Sequence, residues 1–179
     1  AATRYGGGLR ILRQDFWETL ITFVISQNNN IPRIQRTVEL LCKGWGEQRV
    51  DSAGEPYYTF PTKAQLAAAD LPALRAIGLG YRDQYIFAIA HSDFDAEAVC
   101  RLPLEQAHDA LLALPGVGPK VAACVQLFGL HDLAAFPVDT WIRKMVAQHY
   151  GGSFPLARYE GFAGGMQQYI FFYGRSAQK

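Results

Sequence analysis

The chain has 179 residues, half of them hydrophobic and 18% charged, with a formal net charge of +1. That suffices for one sizeable core and at most one domain with a small satellite. It is far too little positive charge to wrap nucleic acid by electrostatics alone, so any DNA binding must rest on a local patch, backbone amides and base contacts.

Cys42, Cys100 and Cys124 are odd in number and lack CxxC spacing, which fits a reducing, intracellular compartment and opposes a four-cysteine cluster or zinc site. No apolar run approaches the roughly 20 residues of a membrane span, and Ala1 to Gly8 lacks the apolar region of a signal peptide.

Taken in chain order, helical spacing dominates. Residues 15–27 predict a buried helix with Phe16, Leu20, Phe23, Val24 and Gln27 on one face. Asn28, Asn29 and Asn30 interrupt it, and Pro32 opens the next helix at a position proline tolerates. That helix turns Ile34, Val38 and Leu41 inward and ends near Gly44. Residues 47–60 are polar and contain glycine and proline, so they form a loop or at most a short hairpin. Thr62 caps a short helix to Ala69, a second runs from Leu71 to Ile77 and stops at Gly78, and a third runs from about Tyr81 to Ala90. Pro103 starts a helix to Leu114 with Leu104, Ala107, Leu111 and Leu114 on one face. Residues 119–130 and 140–150 are further helices, and the aromatic tail from about Tyr159 to Tyr173 is helical. Many short helices with short loops give a compact all-α domain.

One internal repeat stands out. Residues 73–82, ALRAIGLGYR, parallel residues 111–120, LLALPGVGPK, and place Arg82 opposite Lys120. Both read helix, Gly-hydrophobic-Gly turn, helix, and suggest two turns presented to one ligand. In the second copy Gly116 and Gly118 permit close backbone approach, Val117 can plug between the helices, and Pro119 suits a first helical turn. Consecutive amides and the positive end of the following helix then make an anion site. A Gly-x-Gly by itself is only a tight helix–helix turn. Lys120 and the downstream Pro137-Val138-Asp139 are what point to a phosphate.

The hairpin followed by Phe136-Pro137-Val138-Asp139 resembles the helix-hairpin-helix–Gly/Pro/Asp superfamily of base-excision DNA glycosylases. Residues 26–33, SQNNNIPR, and 78–82, GLGYR, are similar to its 8-oxoguanine DNA glycosylase/AP lyase branch. The similarity runs from about Tyr5 to the C-terminus. It implies one all-α helix-hairpin-helix glycosylase domain over 1–179, hairpin at about 105–130, with two helical lobes flanking a DNA and base cleft. One lobe would mix the N-terminal stretch with the tail; the other would hold the middle helices and the hairpin. The implied partner is double-stranded DNA containing an oxidised guanine or an abasic site, bound by a monomer, and the implied reaction is excision of 8-oxoguanine opposite cytosine followed by β-elimination. No metal or redox cofactor is required, and a cation at the hairpin carbonyls is compatible with it.

The resemblance also assigns residues. Lys120 is the amine nucleophile; desolvation and a helix N-terminus both favour a neutral amine, and a plain phosphate-binding lysine is the alternative. Asp139 caps the helix from Thr140 and stabilises positive charge on the departing sugar. Cys124, one turn after Lys120, lines the base pocket or is a small core residue. Gln167 and Phe171 bond and stack on the damaged base, unless the tail is merely an aromatic core helix. Asn28, Arg33 and Arg82 read the orphaned cytosine, with Tyr81 as the wedge. Asn28 as a helix C-cap and Arg82 as a surface charge are the alternatives.

Three features depart from the family pattern: its N-terminal β-rich domain is absent from the sequence, the position two after Asp139, often His, is Trp141, and Tyr150 to Tyr159 is short. They leave open the same fold acting on another lesion or on abasic sites only, a non-catalytic damaged-DNA-binding module, and an excised domain that turns over poorly.

Overall fold

A computed structural model describes residues 2–176; Ala1 and residues 177–179, where the resemblance ends, lie outside the described residues. After a short α1 (Ala2–Tyr5) come α2 (Phe16–Ser26) and α3 (Ile31–Trp45), a hairpin of β1 (Gln48–Val50) and β2 (Pro56–Tyr58), and the short helices α4 (Lys63–Ala67) and α5 (Leu71–Ala76). Then follow α6 (Arg82–His91), α7 (Ala96–Cys100), α8 (Leu104–Leu112) and α9 (Pro119–Val125), which runs into a π-helical turn (Gln126–Leu130). The chain finishes with α10 (Thr140–Tyr150), a 3₁₀ turn (Leu156–Tyr159) and α11 (Ala163–Ser176). Among the described residues no helix is long and apolar enough to cross a membrane.

Short polar side chains set most helix starts. Asp15, Asn30, Asp70 and Asp139 accept from the backbone N–H three residues on, and Thr62 with Gln65 completes a reciprocal capping box. Each such cap is worth about 1 kcal/mol. The β-hairpin pairs Gln48 with Tyr58 and Val50 with Pro56 in antiparallel register. All six of its strand residues are exposed, which is why it carries no burial alternation in the sequence.

The larger core is wrapped around α2. Leu20, Ile21, Val24 and Ile25 are wholly buried against Leu41, Leu74, Ile86, Leu111 and Val125, each burial stabilising by about 1.5–3 kcal/mol. A smaller core of Ile142, Met145, Val146, Phe154 and Ile170 joins α10 to α11. It is clad in rings, with Phe154 stacked 4.7 Å from Phe136 and 5.4 Å from Tyr159.

The structure corrects several expectations. α2 belongs to the larger core with the middle helices, whereas α1 packs with the tail helix. Leu104 is 46% exposed, because α8 begins there and its first turn overhangs the core. The helix expected over 119–130 widens at Gln126, whose amide reaches Leu104 O and His108, and closes on His131 at φ +58°. α7 went unpredicted because five residues carry too little periodicity. The tail helix begins only at Ala163, after a separate 3₁₀ turn.

The start of α11 decides where its functional face lies. Gly164 donates to Leu133 O at 2.7 Å, and a Cβ on Gly164 would strike Ala135 O and Leu127. The tail helix therefore packs close against the segment leading to Asp139.

Candidate active site

α8 and α9 are joined by residues 113–118. Gly116 takes φ +75°, and a Cβ there would clash with the Tyr85 ring at 2.3 Å. Val117 is buried between the helices, with its N–H on Leu114 O at 3.1 Å. Gly118 is extended and caps α9 without a side chain. The amides of Lys120 and Val121 therefore head the helix with no carbonyl a turn before them.

Lys120 is half-buried, its Nζ 5.0 Å from the centre of the Phe23 ring. Asp139 Oδ1 accepts from Ile142 N at 2.7 Å, so the capping role is real. Lys120, Asp139 and Ser26 line two cavities at once. The first, about 340 Å³, is walled by Phe23, Phe128, Phe171, Cys124 and Gln167. The second is an open cleft of about 700 Å³ along Asn28, Tyr81, Gly118, Thr140 and Arg143. The residues assigned to catalysis and to the base pocket thus converge on one cavity, and Asn28 and Tyr81 flank the other.

The Cys124 thiol is pushed up to about 11 by burial, with Asp139 adding to the shift and Lys120, its charge and hydrogen bond, working against it. The thiol is a neutral wall at ordinary pH. Gln167 is buried, donating to Pro137 O at 3.0 Å and accepting from Gln168 Nε2 at 2.6 Å. One amide proton and one oxygen lone pair remain for a guest.

The other turn is arranged differently. Arg82 is buried rather than on the surface. Its Nε donates to Gln27 O at 2.9 Å, Nη1 to Leu79 O at 3.1 Å, and Nη2 to Gln27 O and Asn28 O. In this arrangement it holds the Asn28 turn, at φ +45°, with most of its donors on main-chain carbonyls, which corrects the picture of two equivalent turns facing one ligand. Asn28 is exposed, Arg33 is exposed with Nη2 on Gly78 O at 3.0 Å, and Tyr81 is 50% exposed with its edge on Tyr85. The C-cap of α2 is Gln27 and not Asn28, while Asn30 N-caps α3 by accepting from Arg33 N.

Sequence reasoning missed Gln27 as a site residue. Its amide bonds Gly116 O at 2.9 Å and ties the asparagine turn to the hairpin. Only its place on the buried face of α2 hinted at this. Phe128, Gln168, Arg143 and Arg175 also line the cavities without any local signal. Trp141 lines neither; it packs in the smaller core beside Gly174, with its Nε1 buried and unpartnered among the described residues.

Two helices joined by a Gly-Val-Gly turn, with a lysine heading the second beside a capping aspartate, define a helix-hairpin-helix domain of the DNA-glycosylase class. No family model matches the chain. Its relatives include the N-glycosylase/DNA lyase of Saccharomyces cerevisiae, 39% identical over 158 residues, covering 80% of this chain and 42% of the yeast protein. The N-glycosylase/DNA lyase OGG1 of Arabidopsis thaliana is 36% identical, covering 82% of this chain and 42% of its own length. The solved Clostridium acetobutylicum 8-oxoguanine glycosylase/lyase, in complex with double-stranded DNA containing cytosine opposite 8-oxoguanine, has a TM-score of 0.90 at 31% identity over 99% of this chain and 66% of that one.

The chain belongs to the helix-hairpin-helix–Gly/Pro/Asp superfamily of DNA glycosylases. Within it the similarity falls on the 8-oxoguanine glycosylase/AP lyase branch; a 3-methyladenine DNA glycosylase from Archaeoglobus fulgidus shares the fold at 21% identity and a TM-score of 0.81. The chain spans less than half the length of the yeast and plant relatives.

Proposed function

We propose that this domain excises 8-oxoguanine opposite cytosine from duplex DNA and then nicks the strand, working as a monomer inside the cell. The observation that carries the reading is that Lys120 and Asp139 stand at the junction of a base-sized aromatic cavity and an open cleft.

A base extruded from the duplex enters the smaller cavity between Phe171 and the Cys124 wall, with Gln167 offering its remaining donor and acceptor. The neutral Lys120 amine attacks C1′ of the sugar. The C1′–N9 bond breaks, its electron pair leaves with the base, and the base is protonated as the amine gives up a proton. Asp139, fixed by its bond to Ile142 N, stabilises the cationic sugar as that bond lengthens. Opening of the ring at O4′ gives the Schiff base. Loss of a C2′ proton then expels the 3′-phosphate, and water releases Lys120. No electron is gained or lost overall, so no redox cofactor is called for.

In the cleft, Asn28 and Arg33 meet the orphaned cytosine and Tyr81 fills the gap in the stack. Arg82, four of whose five N–H donors bond main-chain carbonyls, keeps one Nη1 proton for the cytosine. The amides of Gly118, Lys120 and Val121 hold a backbone phosphate. A cation at the hairpin would share the second lone pairs of carbonyls that already accept from Gln27 and Val117.

Borohydride trapping tests this on duplexes carrying 8-oxoguanine opposite cytosine or an abasic site. A trapped complex on both, absent in Lys120→Gln, is the expected result. Trapping on the abasic duplex alone restricts the chain to lyase chemistry. No trapping with binding intact leaves a damaged-DNA-binding module.

A further inference from the structure

The base-sized cavity contains a second cation that the mechanism above does not use. Arg175, near the end of α11, lines it with Phe171, one turn earlier, and Gln167, two turns earlier. Its guanidinium carbon lies 5.6 Å from the centre of the Phe171 ring. That cation–π approach keeps a long exposed side chain against the cavity wall. None of the ion pairs among the described residues involves Arg175. A five-donor group at the mouth of a largely aromatic cavity is available to hydrogen-bond whatever enters.

The donors and acceptors present decide what fits. Arg175 only donates, and the one lone pair of the Lys120 amine is committed to C1′. Asp139 Oδ1 already accepts from Ile142 N, and Gln167 Oε1 keeps one lone pair after accepting from Gln168. Gln167 keeps a spare amide proton after bonding Pro137 O. The set is rich in donors, so it suits a planar guest edged by carbonyl oxygens better than one edged by amino groups. An oxidised guanine has carbonyls on both of its rings; adenine has none.

We propose that Arg175 is a specificity-determining residue whose guanidinium donates a charge-assisted hydrogen bond to a carbonyl oxygen of the extruded oxidised purine beside Phe171. This rests on the glycosylase reading above.

The test compares single-turnover excision of 8-oxoguanine opposite cytosine with scission of the same duplex carrying an abasic site, for the wild type, Arg175→Ala and Arg175→Lys, each checked by its melting temperature. Arg175→Ala is expected to slow excision about 10- to 100-fold, the size of a lost charged hydrogen bond. Abasic scission, with no base in the cavity, stays within about threefold, and Arg175→Lys recovers part of the excision rate. Unchanged excision in Arg175→Ala overturns the assignment. So does a parallel fall in both reactions with a salt slope reduced by about one, the behaviour of a phosphate contact. A wild type that cuts the abasic duplex but excises no oxidised base defeats the glycosylase reading itself, whereas an active wild type with an unaffected variant defeats only the role of Arg175.

Discussion

The turns at 78–82 and 116–120 share a pattern and part company in space. In the first, Gly78 and Gly80 both take positive φ, at +86° and +59°, and the arginine that follows is drawn under the Asn28 turn to bond three main-chain carbonyls. In the second, only Gly116 is left-handed; Gly118 is extended, Pro119 intervenes, and the lysine faces two cavities. One turn further on, the first copy places the wholly buried Ile86 and the second places Cys124 in a cavity wall. A repeated local motif therefore gives one structural brace and one chemical site. The backbone conformation of a single glycine and a proline in the place of Tyr81 distinguish them.

The sharpest way to break the comparison is to remove each cation. Lys120→Gln is expected to lower trapping and strand scission at least about 1,000-fold while stability changes by about 1 kcal/mol or less. Arg82→Ala should do the reverse, destabilising by about 2–4 kcal/mol in urea because buried carbonyls lose a charged donor. Arg82→Lys does not restore this, since an ammonium cannot span three carbonyls as the guanidinium fork does. Equal stability losses in Lys120→Gln and Arg82→Ala would erase the distinction.

Next come the glycines. Gly116→Ala meets both a positive φ and the Tyr85 ring, and should cost about 2 kcal/mol or more. Gly78→Ala has the positive φ but open space, and should cost about 1 kcal/mol. Gly118→Ala has neither and should cost about 0.5 kcal/mol through its cap position. Thermal unfolding of the three checks the order.

The last contrast, confined to alkaline pH, is that of Cys124 with Ile86. The folded thiol, at about 11, lies above its ordinary 9.0, so between these values the folded state holds more protons than the unfolded one. Its contribution is complete below pH 9 and is lost as pH rises toward 11, about 1.4 kcal/mol by pH 10. Cys124→Ala should flatten that part of the stability profile. A profile that keeps its slope would assign it to other groups.

How much was legible follows from distance along the chain. Helix starts at Thr62 and Asp139 were readable because a cap is decided within three residues. The Gly-Val-Gly hairpin and Lys120 were readable because turn chemistry is equally local. The exposed β-hairpin and five-residue α7 left too weak a pattern to define. Tertiary structure alone decided that Gly164 would seat α11 against the approach to Asp139, bringing Gln167, Phe171 and Arg175 to Lys120 and Cys124. It also decided that Arg82 would turn inward while Lys120 did not, and that Gln27 would join the asparagine turn to the hairpin. These outcomes depend on which carbonyls and surfaces arrive from distant helices. A residue's immediate neighbours set its backbone conformation but not the partners that its side chain will meet.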